Sequence, residues 1–304
     1  MAVELMSRIH ELLNEEKWTR ATINNYTVAN FRDLDALISE IQETEEQNEV
    51  IAACDEHLQH TKNSIVALYV SGIINLSRQT VDDTNLIMLL NIFSDNHKWN
   101  IVEVLCERIL EYGENKYALR KLAECYDHEN KQDAMYEVWE RLIRVDFEES
   151  DIVRALAERK EEDGEIADAI NYYKKALHRY INKKAFNSIR EVWGKLIEHA
   201  PEETEFFYHA EAKVAKMVSP ERAVQLVEEL YPHFKASGDW NTAIELLKRI
   251  LAYDSKNQWA RKEITDCFRE KYAGHSHLDE YIKISNLNQS WRNVHDAIAD
   301  FEKH

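Results

Sequence analysis

Four series of residues recur at an interval of 34 along the middle of this 304-residue chain. Met88, Leu122 and Leu156 form one series, and Leu89, Ala123 and Ala157 form the next. Ile101, Met135 and Ala169 keep the same step, as do Leu105, Trp139 and Tyr173. A repeat of that length holds one helix–turn–helix pair, which cannot bury its apolar face alone and must stack on its neighbours. Stacked pairs present an extended surface to another macromolecule. The interval points to a binding scaffold before any single residue points to catalysis.

The third copy is the clearest. In "ALAERKEEDGEIADAINYYKKAL", Leu156 and Ala157 sit mid-way along a first helix, Gly164 in the turn, and Ala169, Tyr173 and Ala176 on a second helix. Small alanines suit positions where two helices cross closely, and larger side chains fill the space between units. A further copy, "ELYPHFKASGDWNTAIELLKRIL", places Leu230, Phe234, Gly238, Ala243, Leu247 and Ile250 equivalently. Both stretches resemble the tetratricopeptide (TPR) repeat. The resemblance implies an all-α, TPR-like solenoid, a right-handed superhelix of antiparallel helix pairs. Trp139 is then expected to be buried between consecutive units, like its bulky equivalents Leu105 and Tyr173. The register slips further on: "EVWERLIRVDFEE" (Glu137–Glu149) is echoed by "EVWGKLIEHAPEE" (Glu191–Glu203) at a step of 54.

Composition agrees with an all-helical chain. Six Gly and three Pro in 304 residues leave few tight turns for β-hairpins. Apolar residues recur at helical spacing, as in Leu34, Leu37, Ile38 and Ile41. Ser219-Pro220-Glu221 reads as a helix start, and Gly113, Gly164, Gly238 and Gly274 fall where helices should end. Typical helix lengths give fifteen or sixteen helices, with Gly and Pro confined to turns. No Pro/Ser/Gly-rich linker divides the chain, so one array is expected. Residues 1–30 would be a helical cap and 31–285 the repeats, with the clearest units at 82–115, 116–149, 150–183 and 224–257. Residues 286–304 would form a final helix with Trp291, Val294, Ile298 and Phe301 on one face. That helix either docks on the array or leads into a further domain.

Charge is uneven. The net −18 argues against nucleic acid as the ligand of the surface as a whole. Asp33–Thr61 holds nine acidic residues and no Lys or Arg, whereas Asn171–Arg190 holds six basic residues and no acid. Those six are Lys174, Lys175, Arg179, Lys183, Lys184 and Arg190, interleaved with Tyr172, Tyr173, Tyr180 and Phe186. Charge runs are mostly solvated faces. The sharper alternative is a docking patch for an acidic protein partner, or for RNA.

Catalytic patterns are absent. The chain has no glycine-rich phosphate loop. Cys54, His57 and His60, and the pair His275 and His277, lack a second ligand set at metal-binding spacing. Neither catalytic residues, nor a metal, nor a cofactor are expected. The four cysteines, Cys54, Cys106, Cys125 and Cys267, have no paired spacing and read as small buried residues. Glu4, Arg8 and Glu11 interrupt any signal-peptide core, and no stretch approaches the roughly 20 apolar residues of a membrane span. A cytoplasmic protein is expected.

The two ends carry a narrower resemblance. "LLNEEKWTRATINNYTVANFRDLD" and "HSHLDEYIKISNLNQSWRNVHDAIADFEKH" are similar to the long N-terminal extension of a subset of bacterial Gre-type transcription elongation factors. The resemblance implies an accessory repeat module attached to such a factor, with RNA polymerase or a transcription-associated protein as partner. No counterpart of the Gre coiled-coil acidic tip is present, so no residue takes a transcript-cleavage role. The alternative is a freestanding adaptor, because the EVW echoes also resemble half-TPR repeats of RNA-processing proteins.

Overall fold

A computed structural model describes residues 2–15, 20–41, 43–78, 83–146 and 149–273. These residues form sixteen α-helices and no strand. The expected final helix at 286–304, Gly274 and the His275/His277 pair lie outside them. The chain divides into two compact units, Met1–Phe147 and Glu148–His304.

The first unit holds α1 (Ala2–Glu15), α2 (Arg20–Asn25), α3 (Val28–Ser39), α4 (Thr44–His60), α5 (Ile65–Ser77), α6 (Thr84–Asp95), α7 (Trp99–Leu110), α8 (Lys116–His128) and α9 (Gln132–Val145). Its centre is α5, buried without a break from Ile65 to Ile74. A helix apolar on all sides belongs inside a bundle, and α1, α3, α4 and α6 pack around it. Phe31 meets Tyr69 and Phe93 edge to face at 5.0 and 5.6 Å. At Gly72, a Cβ would come within 2.5 Å of Leu86 Cγ, so the missing side chain lets α6 approach α5. The Tyr69 hydroxyl donates to Asp35 Oδ1 at 2.8 Å, and Arg108 Nε donates to the same oxygen at 3.1 Å. These two bonds tie α5 and α7 to α3.

The second unit holds α10 (Ser150–Glu162), α11 (Ile166–Lys183), α12 (Phe186–His199), α13 (Thr204–Met217), α14 (Pro220–Ser237), α15 (Trp240–Tyr253) and α16 (Gln258–Lys271). Successive helices α10–α11–α12 and α13–α14–α15–α16 pack as neighbours, and α11 and α12 also reach α13 and α14 respectively. Ser219 accepts a hydrogen bond from the Arg222 N–H, with Pro220 in the first turn.

One turn recurs. His97, Asn130, Gly164, Lys184 and Gly238 all adopt positive φ, between 55° and 79°. After each, the next N–H reaches back five residues: Lys98 to Phe93, Lys131 to Tyr126, Glu165 to Lys160, Ala185 to Tyr180 and Asp239 to Phe234, at 2.8–3.1 Å. This is the Schellman ending of a helix, and glycine serves it with least strain. Only two of these five turns carry glycine, so residue type marks those two alone.

The turns explain the slipped register. From α7 through α9 to α11, second helices begin at Trp99, Gln132 and Ile166, close to the 34-residue step. After Lys184, however, α11 hairpins directly into α12 through the same turn. From there the period is 54: α9, α12 and α15 begin at Gln132, Phe186 and Trp240 and each has 14 residues. The starts Ser150, Thr204 and Gln258 of α10, α13 and α16 keep that step, as do the 18-residue helices α11 and α14. The EVW echo is therefore the first helix of a three-helix module.

Two expectations fail. Gly72, Gly194 and Pro232 lie inside α5, α12 and α14 rather than in turns. Gly72 is there for close packing, and Pro232 leaves the Glu228 carbonyl without its usual donor four residues on. Trp139 is half-exposed and touches Tyr136 edge to face at 5.4 Å, while Leu105 and Tyr173 are buried. In the 54-residue register its equivalent is Trp193, which is fully buried. Gly194 is exposed, and an added Cβ would meet nothing within 4 Å. Gly194→Ala should therefore raise the unfolding free energy by about 0.5–1 kcal/mol, read as a higher urea midpoint; a lower midpoint would contradict the packing described.

Candidate functional site

The six basic residues picked out by sequence are spread over α11 and α12. Lys175, Arg179 and Lys183 follow at steps of four and share one face of α11. Arg179 Nη1 donates to the Glu149 carbonyl at 2.8 Å, and Lys183 Nζ donates to Ser150 Oγ at 3.0 Å, so both grip the start of α10. Lys175 lies over the Tyr172 ring at 4.9 Å. Lys174 points elsewhere: it pairs with Glu203 and lies over the Phe206 ring at 5.2 Å. Arg190 pairs with Glu229, joining α12 to α14. Lys184 is the exposed left-handed residue that ends α11. The structure thus keeps Lys175, Arg179 and Lys183 on one face of α11, with Lys184 exposed just past its end, and directs Lys174 and Arg190 to other helices.

A second constellation repeats with the 54-residue module. Lys195 on α12 donates to Glu161 Oε1 at 2.8 Å, and His199, one turn on, lies 2.9 Å from the same oxygen. The Tyr173 hydroxyl donates to Glu161 Oε2 at 2.5 Å. On α15, 54 residues later, Arg249 Nε donates to Glu211 Oε1 at 2.5 Å. Arg141, 54 residues before Lys195, bonds Glu114 at 3.1 Å. Each module thus presents a cation to a carboxylate earlier in the chain.

The two carboxylates titrate in opposite senses. Burial favours the neutral form at Glu161, but hydrogen bonds from Lys195, Tyr173 and His199 outweigh it and hold the pKa down at about 2. At Glu211, only 1% exposed, burial outweighs Arg249 and raises the pKa above the usual carboxylate value. A depressed folded pKa stabilises above the unfolded value of about 4.3, and that contribution is lost as pH falls toward 2. Glu161→Gln should therefore cost about 1–2 kcal/mol at neutral pH, with the gap from the parent protein closing as pH drops below about 4. A gap independent of pH would contradict this.

Glu161, Glu198 and His199 bring possible metal-ligand atoms within 4.8 Å of one another, the one such grouping among the described residues. The Lys195 ammonium lies among them, 2.8 Å from Glu161 and 3.7 Å from Glu198. A cation is already built into this cluster, which suits helix pairing rather than ligation. Cys54, expected as a buried thiol, is fully buried, with its pKa pushed up to about 12 chiefly by desolvation. Cys106, Cys125 and Cys267 are buried likewise. No described helix is long and apolar enough to cross a membrane.

No family model matches the chain. Among solved structures, it is similar to YrrB, a TPR protein with an unusual peptide-binding site, at 14% identity and a TM-score of 0.34 over 59% of this chain and 90% of that one. A tetratricopeptide repeat protein from Parabacteroides merdae gives 12% identity and a TM-score of 0.30 over 73% and 98%. Two curated relatives match far more strongly in sequence. A putative GreA-associated domains protein of Treponema pallidum is 50% identical over 279 residues, 92% of this chain. The transcription elongation factor GreA of Borreliella burgdorferi is 35% identical over 302 residues, 99% of this chain. The chain is similar over nearly all its length to these two Gre-associated proteins, and it spans 42% and 33% of theirs.

Proposed function

We propose that this chain is a non-catalytic interaction scaffold, the helical-repeat region of a Gre-type transcription elongation factor that acts with RNA polymerase. The observation that carries the reading is the match of almost the whole chain to part of two longer, Gre-named relatives. The fold supports it: helices are held to one another by buried apolar contacts and repeated ion pairs, an arrangement suited to a rigid surface. The basic edge of α11, with Lys175, Arg179 and Lys183 on one face and Lys184 just past its end, is the docking surface for an acidic region of the partner.

The experiment is retention of purified core RNA polymerase on the immobilised chain. Retention that weakens with added salt is expected, since rim charges act through long-range attraction. Lys175→Glu with Lys184→Glu should reduce it several-fold without loss of helicity, because neither side chain bridges two helices. A polymerase that flows through unretained would overturn the partner, and indifference to the two reversals would remove the basic edge. Metal-dependent cleavage of a backtracked transcript by the chain alone would overturn the non-catalytic reading.

A further inference from the structure

A groove of about 330 Å³ lies in the first unit between α7, α8 and α9. Leu122 and Val138 are buried at its floor, and Leu110, Ala134 and the Tyr126 ring line its sides. Its walls carry Glu107 on α7, Glu111 just past its end, and Glu137 and Arg141 on α9. Most charges nearby are already matched: Glu111 by Arg108, Arg141 by Glu114 at 3.1 Å, and Glu103 by Lys131 at 3.3 Å. Glu107 on α7 and Glu137 on α9 are exposed, both line the groove, and neither takes part in an ion pair among the described residues.

We propose that this groove binds an arginine or lysine side chain presented by an amphipathic segment of a partner protein. The fit is chemical. A long basic side chain lays its aliphatic stem along an apolar floor and keeps its charged head among polar groups, and here two unmatched carboxylates await that head. The local field is negative: beyond the effect of burial, Glu103 and Glu107 raise the pKa of the Tyr126 hydroxyl. The net charge of −18 steers a basic partner toward the chain from a distance. The groove is of opposite sign to the α11 edge and in the other unit, so it would take a different part of the partner, or a different partner.

The test uses the full chain and a fluorescein-labelled synthetic amphipathic peptide of arginine, leucine and alanine, followed by polarisation. A peptide with glutamate replacing arginine serves as the charge control. The arginine peptide should bind and weaken as salt rises, and the glutamate peptide should not bind. Glu107→Gln with Glu137→Gln should weaken binding about tenfold, the scale of two partly exposed ion pairs. Glu45→Gln with Glu49→Gln, two exposed acids on α4, should leave it unchanged. Equal losses in both double variants would mean general attraction to an acidic surface and would overturn the groove. So would binding that ignores Glu107 and Glu137, or equal binding of both peptides.

Discussion

Trp193→Ala should cost about 3–5 kcal/mol of unfolding free energy, the range for truncating a fully buried large aromatic residue. The indole is 0% exposed. Its Nε1 donates to the Leu226 carbonyl at 2.9 Å, and its ring meets Phe207 edge to face at 4.7 Å. One side chain on α12 therefore joins α13 and α14. Truncation removes that packing and leaves a cavity no neighbour can fill without shifting a helix. Trp139→Ala, half-exposed in the equivalent place on α9, should cost only about 1 kcal/mol. Denaturant melts of the two variants decide the point, and equal losses would mean that the 54-residue register is misassigned.

Arg249→Met should cost about 3 kcal/mol at neutral pH, because it strands a buried carboxylate. Glu211 is 1% exposed, and its Oε2 already lacks a partner. Arg249 also lies over the Tyr208 ring at 4.4 Å and donates to the Tyr208 carbonyl at 3.1 Å, so part of the loss is independent of charge. The rest depends on pH with a definite sign. Burial raises the folded pKa of Glu211, and the variant without its cation raises it further. A raised folded pKa means stability that is present below the unfolded value of about 4.3 and lost as pH rises through the folded value. The penalty should therefore be larger at pH 7 than at pH 4, and an equal penalty at both would show that Glu211 stays neutral throughout. Glu161 behaves in the opposite way, although it occupies a comparable place, because it has three donors and more contact with water.

The helical character of the chain was legible because its signal is additive. Every turn of every helix contributes apolar spacing, and scarce Gly and Pro leave few alternatives. The 34-residue step was legible for the same reason over α6 to α11. The 54-residue module was not, because its marker is a backbone conformation rather than a residue type. Lys184 and Gly238 make the same turn, yet only the glycine advertises it. The EVW echo held the answer, but one pair of matching words reads as noise until three helix starts fall on the same step. The burial of α5 is legible in the uncharged run between Lys62 and Arg78, a signal independent of any repeat.

At the basic stretch, composition located the charges but not their partners. Glu149, Ser150, Glu203 and Glu229 lie between 29 and 39 residues away along the chain, and only packing brings them to Arg179, Lys183, Lys174 and Arg190. The groove lined by Glu107 and Glu137 had no signal in sequence, since unpaired acids look like paired ones in an acidic chain. Which carboxylates remain unmatched is a property of the assembled helices alone.

The identical turns at Lys184 and Gly238 bear on how such a chain changes length. Both end an 18-residue helix and lead straight into a 14-residue one. Splicing Ala185 to Trp240 would excise one whole module and recreate the same junction, and duplicating 186–239 would add one. Gene rearrangement can thus lengthen or shorten this protein in steps of a single module without inventing a new loop, so its reach can be adjusted by recombination rather than by the slow accumulation of point changes.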